Sequence, residues 1–147
     1  MWITGNLIRQ GKFWAVAVPC LQDYTQGRTK KEAYEMAKDM LEVLADSEGF
    51  PGLEVTVRPL AGDSFLAGSP DTKRFAAFVL RRWRKAHNLT LAEAAQRLGI
   101  ASPNAYARYE QGRNEPTLSQ MERLVNSIAP GEPMVVAFGG ELAVGRY

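Results

Sequence analysis

The first part of the chain alternates short apolar runs with turn residues, a pattern typical of β-strands. Residues 2–9 and 13–18 are rich in β-prone side chains, and the glycine-containing turn 10–12 between them favours a hairpin. Pro19 ends the second run, because proline has no N–H to donate to a strand ladder. Residues 20–28 follow as a predicted loop.

A helix is predicted next, and a further strand follows it. Thr29 and Glu32 have the spacing of a capping box, and the apolar residues behind them recur every three or four positions. Glycine and proline at 49–52 end that helix. Residues 53–58 alternate apolar and polar side chains, which indicates a half-buried strand, and the small residues at 61–68 predict a flexible linker.

From Ser69 onward the apolar spacing is helical. Four predicted helices start at capping signals and end near 87, 98, 111 and 128; the signals are Ser69-Pro70, Thr90, Ser102-Pro103 and Thr117. The pattern therefore predicts an α+β chain with a β-β-α-β domain at 1–66 and an all-α domain at 69–129. A tail follows at 130–147, in which 133–138 can form a strand and the residues beyond Gly139 are expected to be disordered.

The composition is that of a soluble globular protein. The chain has 46% hydrophobic and 23% charged residues, and its longest apolar run is far shorter than the roughly 20 residues that span a bilayer. The first residues lack the basic and apolar regions of a secretion signal, and Cys20 is the single cysteine. We therefore expect a cytoplasmic protein without an internal disulfide or a membrane association.

The net charge of +2 conceals an uneven distribution of charged residues. Residues 1–68 carry 7 Lys and Arg against 9 Asp and Glu, whereas residues 69–128 carry 10 against 5. A polyanion would therefore be bound by the second half of the chain. Solvated helices often carry such an excess, so charge alone does not identify a partner.

The second half also contains the spacing of a helix-turn-helix. Ala95 supplies a small residue where two helices touch, Gly99 four positions later suits the turn, and Ile100 can fill the core beyond it. On the next helix, Tyr106 and Tyr109 lie three positions apart on one face, which predicts the side that packs on the bundle.

The opposite face of that helix carries the candidate base-reading residues. Asn104 and Arg108, with Ala105 beside them, are predicted to point outward. Asn can form paired hydrogen bonds with adenine, and Arg can do so with guanine, in the major groove. A solvated helix face is the alternative interpretation of the same pattern.

Candidate phosphate contacts flank this helix. Thr90 and Ser102 stand at the N-termini of two helices, where free backbone N–H groups favour an anion. Arg113 and Asn114, in the loop after the candidate reading helix, are placed to hold the DNA backbone as well.

Residues 80–128 resemble the Cro/CI-type (XRE-like) helix-turn-helix family. The matching positions are Arg84, Leu89-Thr90, Ala95, Gly99, Tyr109 to Arg113, and Pro116. The resemblance implies DNA binding and a structural salt bridge between Arg84 and Glu110. The segment from Gly99 to Glu110 is one residue longer than usual and contains Pro103, which leaves the base-contacting positions open.

The first half resembles the HicB antitoxin family. The resemblance rests on residues 13–19, which end in Val-Pro, and on residues 25–33, which contain Thr-x-Gly-x-Thr followed by Glu-Ala. It implies a truncated ribonuclease H-like fold, a HicA-type RNA-cleaving toxin as partner, and a C-terminal DNA-binding domain. One departure is that Asp23-Tyr24 stands where the family usually has a glycine-cysteine pair, and Cys20 comes earlier.

No catalytic or metal-binding constellation emerges from the sequence. The strands predicted at 2–9 and 13–18 contain no carboxylate, whereas a ribonuclease H-type site needs several of them around two metal ions. Asp23 lies in the predicted loop, His87 suits a helix C-terminus, and Cys20 has no second cysteine beside it. We therefore expect no enzyme activity, no metal and no cofactor.

Three functional hypotheses follow. In the first, the chain is the antitoxin of a HicA/HicB-type system that neutralises the toxin and represses its own operon. It would bind double-stranded operator DNA as a homodimer or higher homo-oligomer, with the fourth helix or Met134 to Phe138 as the dimer contact. In the second, it is a stand-alone regulator whose N-terminal domain senses a ligand or oligomerises. In the third, it is a nuclease with an unusual metal site that includes Asp23.

Overall fold

The chain has an α+β fold, as predicted, and its described residues, 1–138, fall into two compact units in this computed structural model. The first unit is built from Met1–Thr72 and holds the strands, and the second, Lys73–Val136, is helical.

One antiparallel sheet and one long helix make up the first unit. The elements in chain order are β1 (Trp2–Gln10), β2 (Phe13–Val18), a 3-10 turn (Pro19–Leu21), β3 (Asp23–Gly27), α1 (Lys30–Ser47), β4 (Thr56–Pro59) and β5 (Ser64–Gly68). The strand order across the sheet is β3-β2-β1-β5-β4, and every neighbouring pair is antiparallel. The long central strand β1 therefore pairs with β2 on one side and with β5 on the other.

Two of these strands correct the predicted β-β-α-β order. β3 occupies the predicted loop at 20–28, and β5 occupies the predicted linker at 61–68, so the predicted domain end at 66 falls inside a strand. β3 shows little apolar alternation because it is an edge strand, ordered by backbone pairing with β2. The strand predicted at 53–58 begins instead at Thr56, and the apolar residues before it are buried in the preceding loop.

Close packing explains why β5 and its partner β1 contain small residues. Phe65 is buried against Gly5, where an added Cβ would lie 2.1 Å from the Phe65 ring. Gly68 contacts Trp2 in the same way, and a Cβ there would lie 2.6 Å from the indole. Gly68, at the end of the predicted linker, is therefore small because the Trp2 indole fills the space above it.

The helix α1 covers one face of the sheet. Its N-cap residue Thr29 accepts a hydrogen bond from the Glu32 amide at 3.1 Å, whereas the Glu32 carboxylate accepts one from the Arg28 amide, one residue before the cap. Small side chains allow α1 to approach the sheet closely; the buried residues of the helix are Ala33, Ala37, Leu41 and Ala45.

Four helices form the second unit: α2 (Thr72–Ala86), α3 (Leu91–Leu98), α4 (Pro103–Glu110) and α5 (Leu118–Ile128). α3 and α5 begin with the predicted reciprocal capping boxes, at Thr90 with Glu93 and at Thr117 with Gln120. Within residues 1–138, no helix combines the length and the apolar character needed to cross a membrane.

Two features of this half differ from the prediction. α2 begins at Thr72, and in the turn before it the Ser69 hydroxyl accepts a hydrogen bond from the Asp71 amide at 3.2 Å. Residues 133–138 do not form a strand, since a strand requires a paired neighbour and none of the described strands pairs with them. The disorder predicted beyond Gly139 concerns residues outside the described range.

Candidate nucleic-acid interface

The turn between α3 and α4 has the geometry of a helix-turn-helix. Ala95 is fully buried on α3, at the position where a larger side chain would separate the helices. Gly99 ends α3 in the left-handed conformation with φ of +76°, and the Ile100 amide then donates to the Ala95 carbonyl at 2.9 Å. This turn directs the chain into the short helix α4.

The two predicted base-reading residues and the neighbouring Ala105 lie on the solvent side of α4. Asn104, Ala105 and Arg108 are exposed, whereas Tyr106 and Ala107 are buried in the bundle. Because Asn104 and Arg108 are four positions apart, their side chains extend from the same helix face. The two side chains that best recognise adenine and guanine are therefore presented together.

The two predicted phosphate-binding helix N-termini differ in their capping. Ser102 is exposed, and its side chain makes no capping hydrogen bond, so its hydroxyl remains available to a phosphate oxygen. The Thr90 oxygen already accepts from the Glu93 amide at 3.1 Å, while the Glu93 carboxylate accepts from the Thr90 amide at 2.8 Å. The backbone hydrogen bond from Thr90 holds the pKa of Glu93 below its usual value. An anion beside Thr90 would therefore meet a carboxylate as well.

The loop after α4 is folded back onto the helix end. The amides of Arg113 and Asn114 both donate to the Arg108 carbonyl, at 3.0 and 3.2 Å, and Gly112 permits this turn with φ of +68°. The side chains of Arg113 and Asn114 are exposed. The loop therefore presents one cation and one amide next to the end of the candidate reading helix.

Arg84 of α2 and Glu110 of α4 form a buried, bidentate ion pair. The Arg84 Nε and Nη2 atoms donate to the two Glu110 carboxylate oxygens at 2.6 and 3.0 Å. A third donor, the Tyr106 hydroxyl, lies 2.7 Å from Glu110 Oε1. Burial, reinforced by the Glu110 charge, raises the pKa of Tyr106, so its hydroxyl remains a donor at neutral pH.

This network links three segments of the second unit. Arg84 also donates through Nη1 to the Leu89 carbonyl at 2.6 Å, in the connection between α2 and α3, and Arg81 donates to the Glu110 carbonyl at 3.2 Å. Glu110 is 1% exposed and Arg84 8%, so the pair is removed from water. The network therefore holds α4, the helix that carries Asn104 and Arg108, in a defined orientation on α2.

A cationic cavity lies beside this network, and the sequence did not indicate it. Its volume is about 230 Å³, and its polar lining comes from Arg81, Arg84, Lys85, Glu110 and Gln111. The lining therefore contains three cationic side chains and one carboxylate. The run of basic residues at 81–85 was the available signal, but a run alone does not show which of its side chains share a cavity.

His87 has the structural role expected at a helix C-terminus. Its Nδ1 lies 2.8 Å from the Trp83 carbonyl oxygen, and its Nε2 lies 3.0 Å from Glu132 Oε1. Burial alone would lower the pKa of His87, but the hydrogen bonds to Glu132 and Trp83 outweigh it and raise the pKa above its usual value. The imidazole connects the end of α2 to the segment that follows α5.

A family described as "Helix-turn-helix domain" matches residues 76–128. The matched range covers most of α2 and all of α3, α4 and α5, and thus the ion pair and the exposed face of α4. No curated protein matches the chain. The family match supports an XRE-like helix-turn-helix in this half of the chain, which indicates a DNA-binding regulator with double-stranded DNA as its ligand.

Proposed function

We propose that this chain is the antitoxin of a HicA/HicB-type system, which neutralises an RNA-cleaving toxin and represses its own operon. The observation that carries the DNA-binding part is the exposure of Asn104 and Arg108 on one face of α4, inside the matched helix-turn-helix. In this proposal α4 enters the major groove, and these two side chains contact base edges.

Phosphate contacts on both sides of α4 would supply most of the affinity. Arg113 and Asn114 hold the backbone at one end, and Ser102 does so at the helix start. The cavity lined by Arg81 and Lys85 takes a further phosphate. Such contacts add affinity without sequence preference and make binding salt-dependent, whereas the contacts of α4 provide specificity.

The toxin-binding part of the proposal is supported by the sequence motif at 25–33 and by its position in the fold. The motif spans the end of β3 and the first turn of α1. A Cβ on Gly27 would lie 2.4 Å from the Ala33 amide nitrogen, so the glycine allows the strand end to contact the helix start. The departure at Asp23-Tyr24, which lies in β3, favours the second candidate, a stand-alone regulator without a toxin partner.

We further propose that the chain acts by binding and not by catalysis. Among residues 1–138, no three His, Cys, Asp or Glu side chains are grouped so that they could hold a metal ion. Burial raises the pKa of Cys20 to about 12, so its thiol is protonated at neutral pH and is a poor nucleophile.

Co-purification tests the antitoxin proposal. The chain would be tagged and expressed with the product of its neighbouring reading frame, and the bound protein identified. We expect a small basic protein that arrests growth when expressed alone, and it should also bind the Arg108→Ala variant, because Arg108 is assigned to DNA. If no such protein is retained, the chain is a regulator without a toxin. If Arg108→Ala retains no toxin while the natural chain does, the assignment of the two binding functions is wrong.

A further inference from the structure

The sheet face that points away from α1 has almost no charge. Its side chains come from alternate residues of β1, beginning with Trp2, and from their cross-strand neighbours, such as Ala15 opposite Ile8. We call this surface the open face. Among its described strand residues, Arg58 is the only charged one, and its guanidinium lies 4.6 Å from the centre of the Trp2 ring. The solvent side of an antiparallel sheet normally carries polar and charged residues, so this composition is unusual.

Large apolar side chains of the open face are exposed to solvent. The exposed fractions are 39% for Trp2, 52% for Ile8, 41% for Phe13 and 69% for Tyr24. Since a whole aromatic side chain has about 150–250 Å² of surface, the three aromatic residues present roughly 300 Å² together, and the half-exposed Ile8 adds to this area. Exposed apolar area on this scale is often functional on a monomer.

We propose that the open face is the contact between two copies of this chain, whose sheets pack face to face in a two-fold dimer. In a two-fold interface the same surface patch meets its own copy, so a charged patch would meet like charge, and an uncharged patch avoids this. A basic, RNA-cleaving partner would instead be matched by carboxylates, and the described strand residues of the open face include none.

The size of the open face is sufficient for a contact with a second copy of the chain. A stable interface buries about 800 Å² on each partner, with an apolar centre and a polar rim. The four apolar residues supply about half of that area. Exposed polar residues of the same strands, among them Thr4, Asn6, Gln10 and Gln26, can form hydrogen bonds across such a contact. Face-to-face sheets about 10 Å apart allow such side chains to interdigitate.

A dimer formed in this way would provide two helix-turn-helix units for one operator. This consequence rests on the proposed function, because reading two half-sites requires two units. The proposed dimer contact does not depend on the proposed function, because the oligomeric state can be measured without DNA or toxin.

Sedimentation of the full chain in the absence of DNA tests the proposal. At about 20 μM, where a dimer with a Kd of 1 μM or below is the main species, we expect twice 16.3 kDa for the natural sequence. Ile8→Glu and Tyr24→Glu should each shift the mass to 16.3 kDa, because each would bury an unpaired carboxylate in the contact. Val43→Glu is the matched control: Val43 is 67% exposed on α1, away from the open face, and this variant should remain a dimer.

Circular dichroism confirms that each variant is folded, and both substituted positions are exposed, so the fold should be retained. A monomeric natural chain, or a dimer that survives both substitutions, overturns the proposal. A monomeric chain that loses a co-purifying protein on Ile8→Glu also overturns it, because the open face would then belong to that partner. Failure to bind operator DNA by a chain that is dimeric refutes the proposed function and leaves the interface standing.

Discussion

Replacing Glu110 by alanine removes the acceptor for three buried donors. In the natural chain its carboxylate accepts from two nitrogens of Arg84 and from the Tyr106 hydroxyl, at 2.6 to 3.0 Å. After the substitution the Arg84 guanidinium keeps its bond to the Leu89 carbonyl but loses both of its hydrogen bonds to the Glu110 carboxylate. Arg81, whose Nε lies 3.8 Å from Glu110 Oε2, loses the same ion pair.

The expected loss of stability follows from this burial. Breaking a buried ion pair by removing one partner costs about 3–5 kcal/mol, because the other charge remains uncompensated. The unsatisfied Tyr106 hydroxyl adds about 1–3 kcal/mol, although water entering the space left by the side chain reduces the sum. We therefore expect Glu110→Ala to lower the free energy of unfolding by about 4 kcal/mol, out of the 5–15 kcal/mol typical of a domain. At 4–8 °C per kcal/mol, the Tm should fall by about 15 °C or more.

Thermal unfolding of the full chain, followed by circular dichroism, measures this change. Glu122→Ala, an exposed carboxylate of α5, is the control and should change stability by less than about 0.5 kcal/mol. The double variant Arg84→Met with Glu110→Leu should regain much of the loss, since no charge is then buried without a partner. A Tm of Glu110→Ala within about 2 °C of the natural value would refute the reasoning, as would a double variant no more stable than the single one.

Four further predictions concern the two units separately. Arg108→Ala should weaken binding to the operator by about 1–3 kcal/mol and abolish sequence preference while salt-dependent binding persists, and unchanged operator affinity in fluorescence anisotropy would show that Arg108 does not read bases. Lys85→Ala should weaken binding equally on all sequences and reduce the salt slope by about 1, so an unaltered slope argues against a phosphate in the cavity. Gly27→Ala should destabilise the first unit, because its Cβ has only 2.4 Å to the α1 backbone, and an unchanged urea midpoint would contradict that packing. The raised pKa of His87 means that its charged pair with Glu132 stabilises the fold below the ordinary value of 6.5 and is lost as pH rises through the folded-state pKa. Glu132→Gln should therefore lower the Tm at about pH 5.5 and have little effect at about pH 8.5, and an equal effect at both values would count against the pair.

Features that depend on a few neighbouring residues could be predicted from the sequence. The capping boxes at Thr90 and Thr117 form as predicted, because cap and partner are three residues apart and meet as soon as the helix starts. The bounds of β2 were likewise predicted, since a turn and a proline delimit it locally. The outward position of Asn104 and Arg108 follows from helical period once the tyrosine side is taken as packed.

Features that depend on distant partners could not be predicted in this way. β3 and β5 have weak local patterns and exist because β2 and β1 supply the hydrogen bonds that order them. Residues 133–138 show the opposite case, in which a β-prone pattern forms no strand because no described strand pairs with it. Strand formation is a property of a pair, so a single segment predicts it poorly.

The features of the candidate interface also separate into those that the sequence predicted and those that only the folded structure showed. By itself the sequence determined the helix-turn-helix spacing, the candidate base-reading residues and, through a family resemblance, the pairing of Arg84 with Glu110. Only the tertiary structure showed that Tyr106 joins this pair and that Lys85 lines a shared cavity, because side chains from three helices converge there. The physical reason is the separation of the interacting residues along the sequence. Capping and helical period act over three or four residues, whereas a buried charge network and a cavity form only when the chain has folded.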